Sequence, residues 1–189
     1  MLSKSIMENV EMIMHLVPFV TREQLEFFFN IQENGSRPED VIRQMDRTGY
    51  FSHQTLFGYE VLRGKNTIHF SSKRAVEDFL DSMWVIAAFG EESISTFHVV
   101  YEGGPTYFLI TDENQPYDIM PCRTEMDAWI GYNARHFHGD DDMTSHIALC
   151  YSQESAVKMM EKLILYEFDS YCVLDTETND VTYGKVRRK

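Results

Sequence analysis

Residues 36–70 read SRPEDVIRQMDRTGYFSHQTLFGYEVLRGKNTIHF, and the first half of that stretch has a helical period. Pro38, Val41, Ile42 and Met45 fall on one side at about 100° per residue, while Asp40, Arg43, Gln44 and Arg47 form a stripe about half a turn away. Ser36 with Glu39 forms a capping box around Pro38, which a first helical turn tolerates, and Gly49 supplies a stop. The second half then changes period. Leu56 to Val61 and Thr67 to Phe70 flank Arg63-Gly64-Lys65-Asn66, which predicts a β-hairpin with a basic, glycine-containing tip. Upstream, Ile6, Val10, Ile13, Met14 and Val17 recur at helical spacing before Pro18. Thr21 and Gln24 then form another capping box, leading to Leu25, Phe28 and Phe29 as the buried face of a second helix.

Three short helices followed by a hairpin resemble the winged-helix order over residues 5–70. That resemblance implies double-stranded DNA as a partner through residues 37–66. Arg43, Gln44 and Arg47 would meet base edges in the major groove, Arg63 and Lys65 would meet phosphates from the hairpin, and Arg37 stands at the head of the third helix. Winged helices also bind proteins, and Asp40 lies inside the polar stripe, so a protein-contacting role is the competing reading.

Charge divides the chain. The net charge is −13, yet residues 1–74 hold nine basic and nine acidic side chains, whereas residues 75–184 hold four basic against 21 acidic. A phosphate backbone would repel the second part and tolerate the first. The expected organisation is therefore a winged-helix domain (1–74), an acidic α/β domain (75–184) and a basic tail (185–189) carrying Lys185, Arg187, Arg188 and Lys189. A hydrophobic content of 43% suffices for real cores. No apolar run approaches the ~20 residues of a membrane span, and Met1–Asn9 lacks the layout of a secretion signal, so a cytoplasmic setting is expected. Cys122, Cys150 and Cys172 form no CxxC pair, which favours buried thiols over a zinc or redox motif.

In the second part, Val76, Phe79, Leu80, Met83, Trp84 and Ala87 mark an amphipathic helix ending at Gly90. Strand-like runs follow at 95–102, 106–111 and 117–122, with an antiparallel meander as their simplest join. Thr124 then caps a helix with Met126, Trp129, Ile130 and Phe137 at helical spacing. A strand at 145–151, a helix bearing Val157, Met160 and Ile164, and a hairpin from Tyr171–Leu174 to Val181–Tyr183 around Asn179-Asp180 complete an α+β chain.

This order resembles the core of the restriction-endonuclease-like fold, and a winged helix preceding it resembles plasmid replication-relaxation proteins of mobile elements. The catalytic pattern of active members needs an acid on one strand and an acid-x-Lys on the next, so that two carboxylates hold a magnesium ion. Asp112 and Asp118 fit the acids, but Met120 stands where the lysine belongs, so nuclease activity is not expected. His136-Phe137-His138-Gly139-Asp140-Asp141-Asp142 resembles a fragment of the HxHxDH pattern of metallo-β-lactamase-type hydrolases without its closing histidine. His136, His138 and Asp140 are the metal candidates, and a solvated loop is the plainer reading. His98 and His146 show no sequence partner. The expectation is a DNA-binding regulator of a bacterial or mobile element, with no catalytic residues or cofactor, whose acidic domain mediates homodimerisation or binds a basic protein. The alternative is a protein-interaction module without nucleic acid.

Overall fold

The first helix, α1 (Lys4–Leu16), buries Val10, Ile13 and Met14, and Val17 just beyond it is buried too. The computed structural model describes residues 4–28, 37–65, 68–89, 107–110, 116–130, 145–162 and 168–186. After α1 come β1 (Phe19–Val20), α2 (Arg22–Phe28), α3 (Pro38–Thr48), β2 (Ser52–Leu56) and β3 (Tyr59–Arg63). The capping box at α2 is reciprocal. The Gln24 N–H donates to Thr21 Oγ1 at 3.2 Å and the Thr21 N–H donates to Gln24 Oε1 at 3.1 Å. At α3 the expectation is corrected. The N-cap is Arg37, with no side-chain cap bond, and Glu39 instead pairs with Arg22 at 2.8 Å. Ser36 lies outside the described residues. Gly49 closes α3 at φ 70°, as its position implied.

The first sheet runs β1-β3-β2, all antiparallel. Its hairpin is not where the polar run suggested. β2 and β3 meet at Phe57-Gly58, whose φ values of 49° and 95° suit the mirror-image two-residue turn that matches strand twist. Arg63 ends β3, far from the turn in sequence. Gly64 follows because the chain there runs against the end of α1, where an added Cβ would collide with the Met14 carbonyl oxygen. The Lys65 N–H donates to that same oxygen at 3.2 Å, answering one carbonyl that α1 leaves unpaired.

One face of this sheet lies under α4 (Lys73–Phe89). Phe19 meets Phe79 edge-on with ring centroids 4.7 Å apart, and the Tyr59 hydroxyl donates to Glu77 at 2.7 Å. That bond, more than burial, pushes the Tyr59 hydroxyl up to about 12. The opposite face meets α3, where His53 reaches Asp46 at 3.0 Å.

The second sheet has the order β4 (Tyr107–Ile110), β5 (Pro116–Pro121), β6 (Ser145–Cys150), β7 (Ser170–Leu174) and β8 (Val181–Lys185). Its outer pairs, β4–β5 and β7–β8, are antiparallel, while β5–β6 and β6–β7 are parallel. A helical segment at 125–130, α5, follows β5, and α6 (Gln153–Glu161) links β6 to β7, as parallel pairing requires of a crossover. The expected strand at 95–102 lies outside the described residues. Ile119, Ile147, Leu149, Cys172 and Leu174 face α4 and join the core that begins at α1, whereas Met120, Ala148, Cys150 and Phe168 form a separate core with Ala128 and the α6 residues Ala156 and Met159.

The stripes expected on these last helices need correction. Met126, Trp129 and Ile130 are 64%, 46% and 50% exposed, and α6 turns Ala156 and Met159 inward instead of Val157. Small residues face the sheet because they let the helix backbone approach it closely. The register of α5 is held by Asp127, which accepts from the Thr124 N–H at 2.7 Å and pairs with Arg74 of α4.

Candidate nucleic-acid interface

The six residues expected to meet DNA divide into two groups. Arg37, Arg43 and Arg47 are exposed at the head and along the outer face of α3, while Gln44, Arg63 and Lys65 are drawn into local contacts. The Gln44 amide nitrogen approaches Met7 Sδ of α1 at 3.0 Å, so its side chain lies along α1 and not outward. Arg63 donates to Gln54 Oε1 and to the Ile68 carbonyl, each at 3.3 Å, and sits 3.2 Å from His69 Nδ1. Lys65 Nζ rides 5.3 Å from the centroid of the Tyr50 ring. The Tyr50 hydroxyl, bonded to Glu11, is in turn held above its ordinary value.

The outer face of α3 is not uniformly basic. Glu39, Asp40 and Asp46 are exposed among the arginines, and Arg43 Nη1 lies 3.7 Å from Asp40 Oδ1. Glu39 is held below the usual carboxylate range, first by a main-chain N–H of the helix start and then by Arg22. Among the described residues, Arg47 is the α3 cation with no ion pair. Beside this helix a cleft of about 370 Å³ opens between α2, α3 and the hairpin, floored by Ile42, Val61 and Leu62 and rimmed by Arg22, His53, Gln54, Thr55 and Glu60.

His136, His138, Asp140 and Asp112 lie outside the described residues, and among the described residues no group of three potential metal ligands occurs. His146 does have a partner, contrary to the sequence reading. Asp118, 5% exposed, stands opposite it on the parallel neighbour β5, with Oδ2 at 2.7 Å from His146 Nδ1. The His146 N–H also donates to Asp169 Oδ2 at 2.9 Å. Met120, which replaces the lysine of the nuclease pattern, is buried core. All three cysteines are buried, as expected from their apolar surroundings. No helix among the described residues is long and apolar enough to cross a membrane.

Among the described residues, a dense charge network lies between α4 and the second sheet. Arg123 Nε donates to Asp78 Oδ1 at 2.7 Å, a second nitrogen reaches Asp81, and the guanidinium lies 4.4 Å from the Tyr151 ring centroid. Burial raises Asp81 above its ordinary value even against the pull of Arg123. The Tyr151 hydroxyl, close enough to influence that carboxylate, has no partner in bonding geometry among the described residues. The chain is mixed α+β, its described residues form two sheets, and no family model, curated protein or solved structure matches it.

Proposed function

We propose that the amino-terminal unit is a winged helix and that the chain is a DNA-binding regulator of a bacterial or mobile element, with α3 as the reading helix. The observation that carries this is the order α1-β1-α2-α3-β2-β3 around a sheet ordered β1-β3-β2, with Arg43 and Arg47 exposed on the helix that precedes the hairpin. Arg47 and Arg37 contact duplex directly in this reading, and Arg43 exchanges Asp40 for phosphate. The acidic second unit, whose likeness to the restriction-endonuclease core rests on element order alone, stays off the duplex and contacts protein. The test is anisotropy of a labelled duplex at two salt concentrations. Wild type binds with an affinity that falls steeply with salt, and Arg43→Ala/Arg47→Ala/Lys65→Ala weakens it at least tenfold. Equal binding by wild type and variant, or none at low salt, overturns the reading.

A second reading is favoured by the acidic residues interleaved on α3. Glu39, Asp40 and Asp46 offset the arginines beside them, as suits a protein surface better than a polyanion. In that case Asp40→Asn/Asp46→Asn leaves duplex binding absent, and a basic protein is retained on the immobilised chain.

A further inference from the structure

Among the described residues β2 is an edge strand, with β3 its only neighbour. Ser52 to Thr55 are all exposed, and the ladder to β3 is unbroken from Ser52↔Arg63 to Leu56↔Tyr59. Natural sheets blunt such edges with lysine, proline or a bulge, because a row of unpaired main-chain groups recruits another strand. Ser52-His53-Gln54-Thr55-Leu56 contains neither residue and no bulge. It also carries no Asp, Glu, Lys or Arg in a chain of net charge −13, so a second copy meets little repulsion there.

The hairpin dictates which groups look outward. A two-residue turn makes Leu56 and Tyr59 a hydrogen-bonded pair, and the alternation of an antiparallel ladder then points the N–H and C=O of Ser52, Gln54 and Leu56 at β3. The main-chain groups of His53 and Thr55 therefore point away from it. Two copies of β2 laid antiparallel about Gln54 put His53 of each opposite Thr55 of the other, and both outward pairs close reciprocally. The same register sets Phe57 opposite the second copy's Phe51, which already meets His53 edge-on at 5.9 Å. Phe57 is the residue this arrangement explains. It is 48% exposed and holds a positive φ that Asn, Asp or Gly adopts more cheaply, so an aromatic at this turn goes against the local preference.

The geometry points to β2 as a self-pairing edge: two copies of the chain join through residues 52–57 into a continuous six-stranded sheet about a two-fold axis. Its interface is distinct from the acidic unit and stands whether or not the chain binds DNA.

The experiment is sedimentation equilibrium of the full chain from low to high micromolar concentration, with circular dichroism as the check on folding. Wild type is expected to reach twice the chain mass. Thr55→Pro removes an outward N–H without touching the ladder to β3 and should leave a folded monomer. Phe57→Asn suits the turn better, so folding is retained while dimerisation weakens at least tenfold; it decides the matter alone if Thr55→Pro fails to fold. A wild-type monomer throughout, or a dimer unchanged by Phe57→Asn, overturns the inference, the latter result pointing to another surface such as residues 75–184.

Discussion

Asp81 shows how one side chain can carry a pH dependence. It sits between α4 and the second sheet, paired with Arg123, yet burial holds its carboxyl above the ordinary 3.8 despite that pairing. The folded chain therefore keeps this proton to higher pH than the unfolded chain does. Its contribution favours folding below the unfolded value and is lost as pH rises through the raised one. Asp81→Asn mimics the protonated form at every pH. Urea titrations of both proteins should give similar stabilities near pH 3.5 and a difference growing in favour of the variant as pH rises, until it levels above the raised value. A difference that grows the other way would mean that Arg123 outweighs burial. Gln24 makes the complementary point. Its side chain completes the cap of α2 while its amide nitrogen donates to the Leu80 carbonyl of α4 at 2.6 Å, so a local motif also pins a long-range contact.

Among elements, the hairpin separates what local sequence encodes from what it does not. Gly58 serves the turn itself, but Gly64 serves a crossing, since its α-carbon passes the carbonyl end of α1. Gly64→Ala should cost about 2 kcal/mol or more in chemical denaturation, because the obstacle is main chain and cannot rotate aside. Indifference to that change would show that α1 and the segment after β3 separate easily. The polar run Arg63–Asn66 looked like a tip because turn residues and crossing residues share a composition. Helix α3 was legible because its signals, a Pro near the start, a three-to-four-residue apolar period and a closing glycine, all act within one or two turns. The faces of α5 and α6 were not, since Ala128 and Ala156 give little periodic signal beside Trp129 and Val157 and matter only once a sheet lies beneath them. His146 failed differently. Its partner is 28 residues away and is chosen by the register of a parallel pair, which no local pattern specifies.

For the whole molecule, charge suggests two units while apolar packing ties them together. α4 covers the first sheet with Phe79 and the second with residues of the same core, and Tyr59–Glu77, Arg74–Asp127 and Arg123–Asp78 bind its polar side to both. A fragment ending at residue 74 would expose Phe19 and leave the Gln24 amide without the Leu80 carbonyl, so the unit read as winged helix should not be stable without α4. Two reporters lie on either side of the junction. Trp84 packs edge-on to Phe27 at 5.6 Å, and the thiols of Cys150 and Cys172 lie in the second sheet, with Cys150 pushed up to about 12 by burial and Cys172 raised for the same reason. In the Trp129→Phe background, Trp84 fluorescence in urea gives the unfolding free energy seen from α2 and α4. The rate of thiol labelling under native conditions gives that for opening the second sheet. If α4 makes the two sheets one cooperative body, the two free energies agree and the labelling rate falls in step with any stabilisation of the first sheet. Labelling that proceeds while Trp84 keeps its native signal would instead show that the second sheet opens alone, with the boundary near residue 74 acting as a seam.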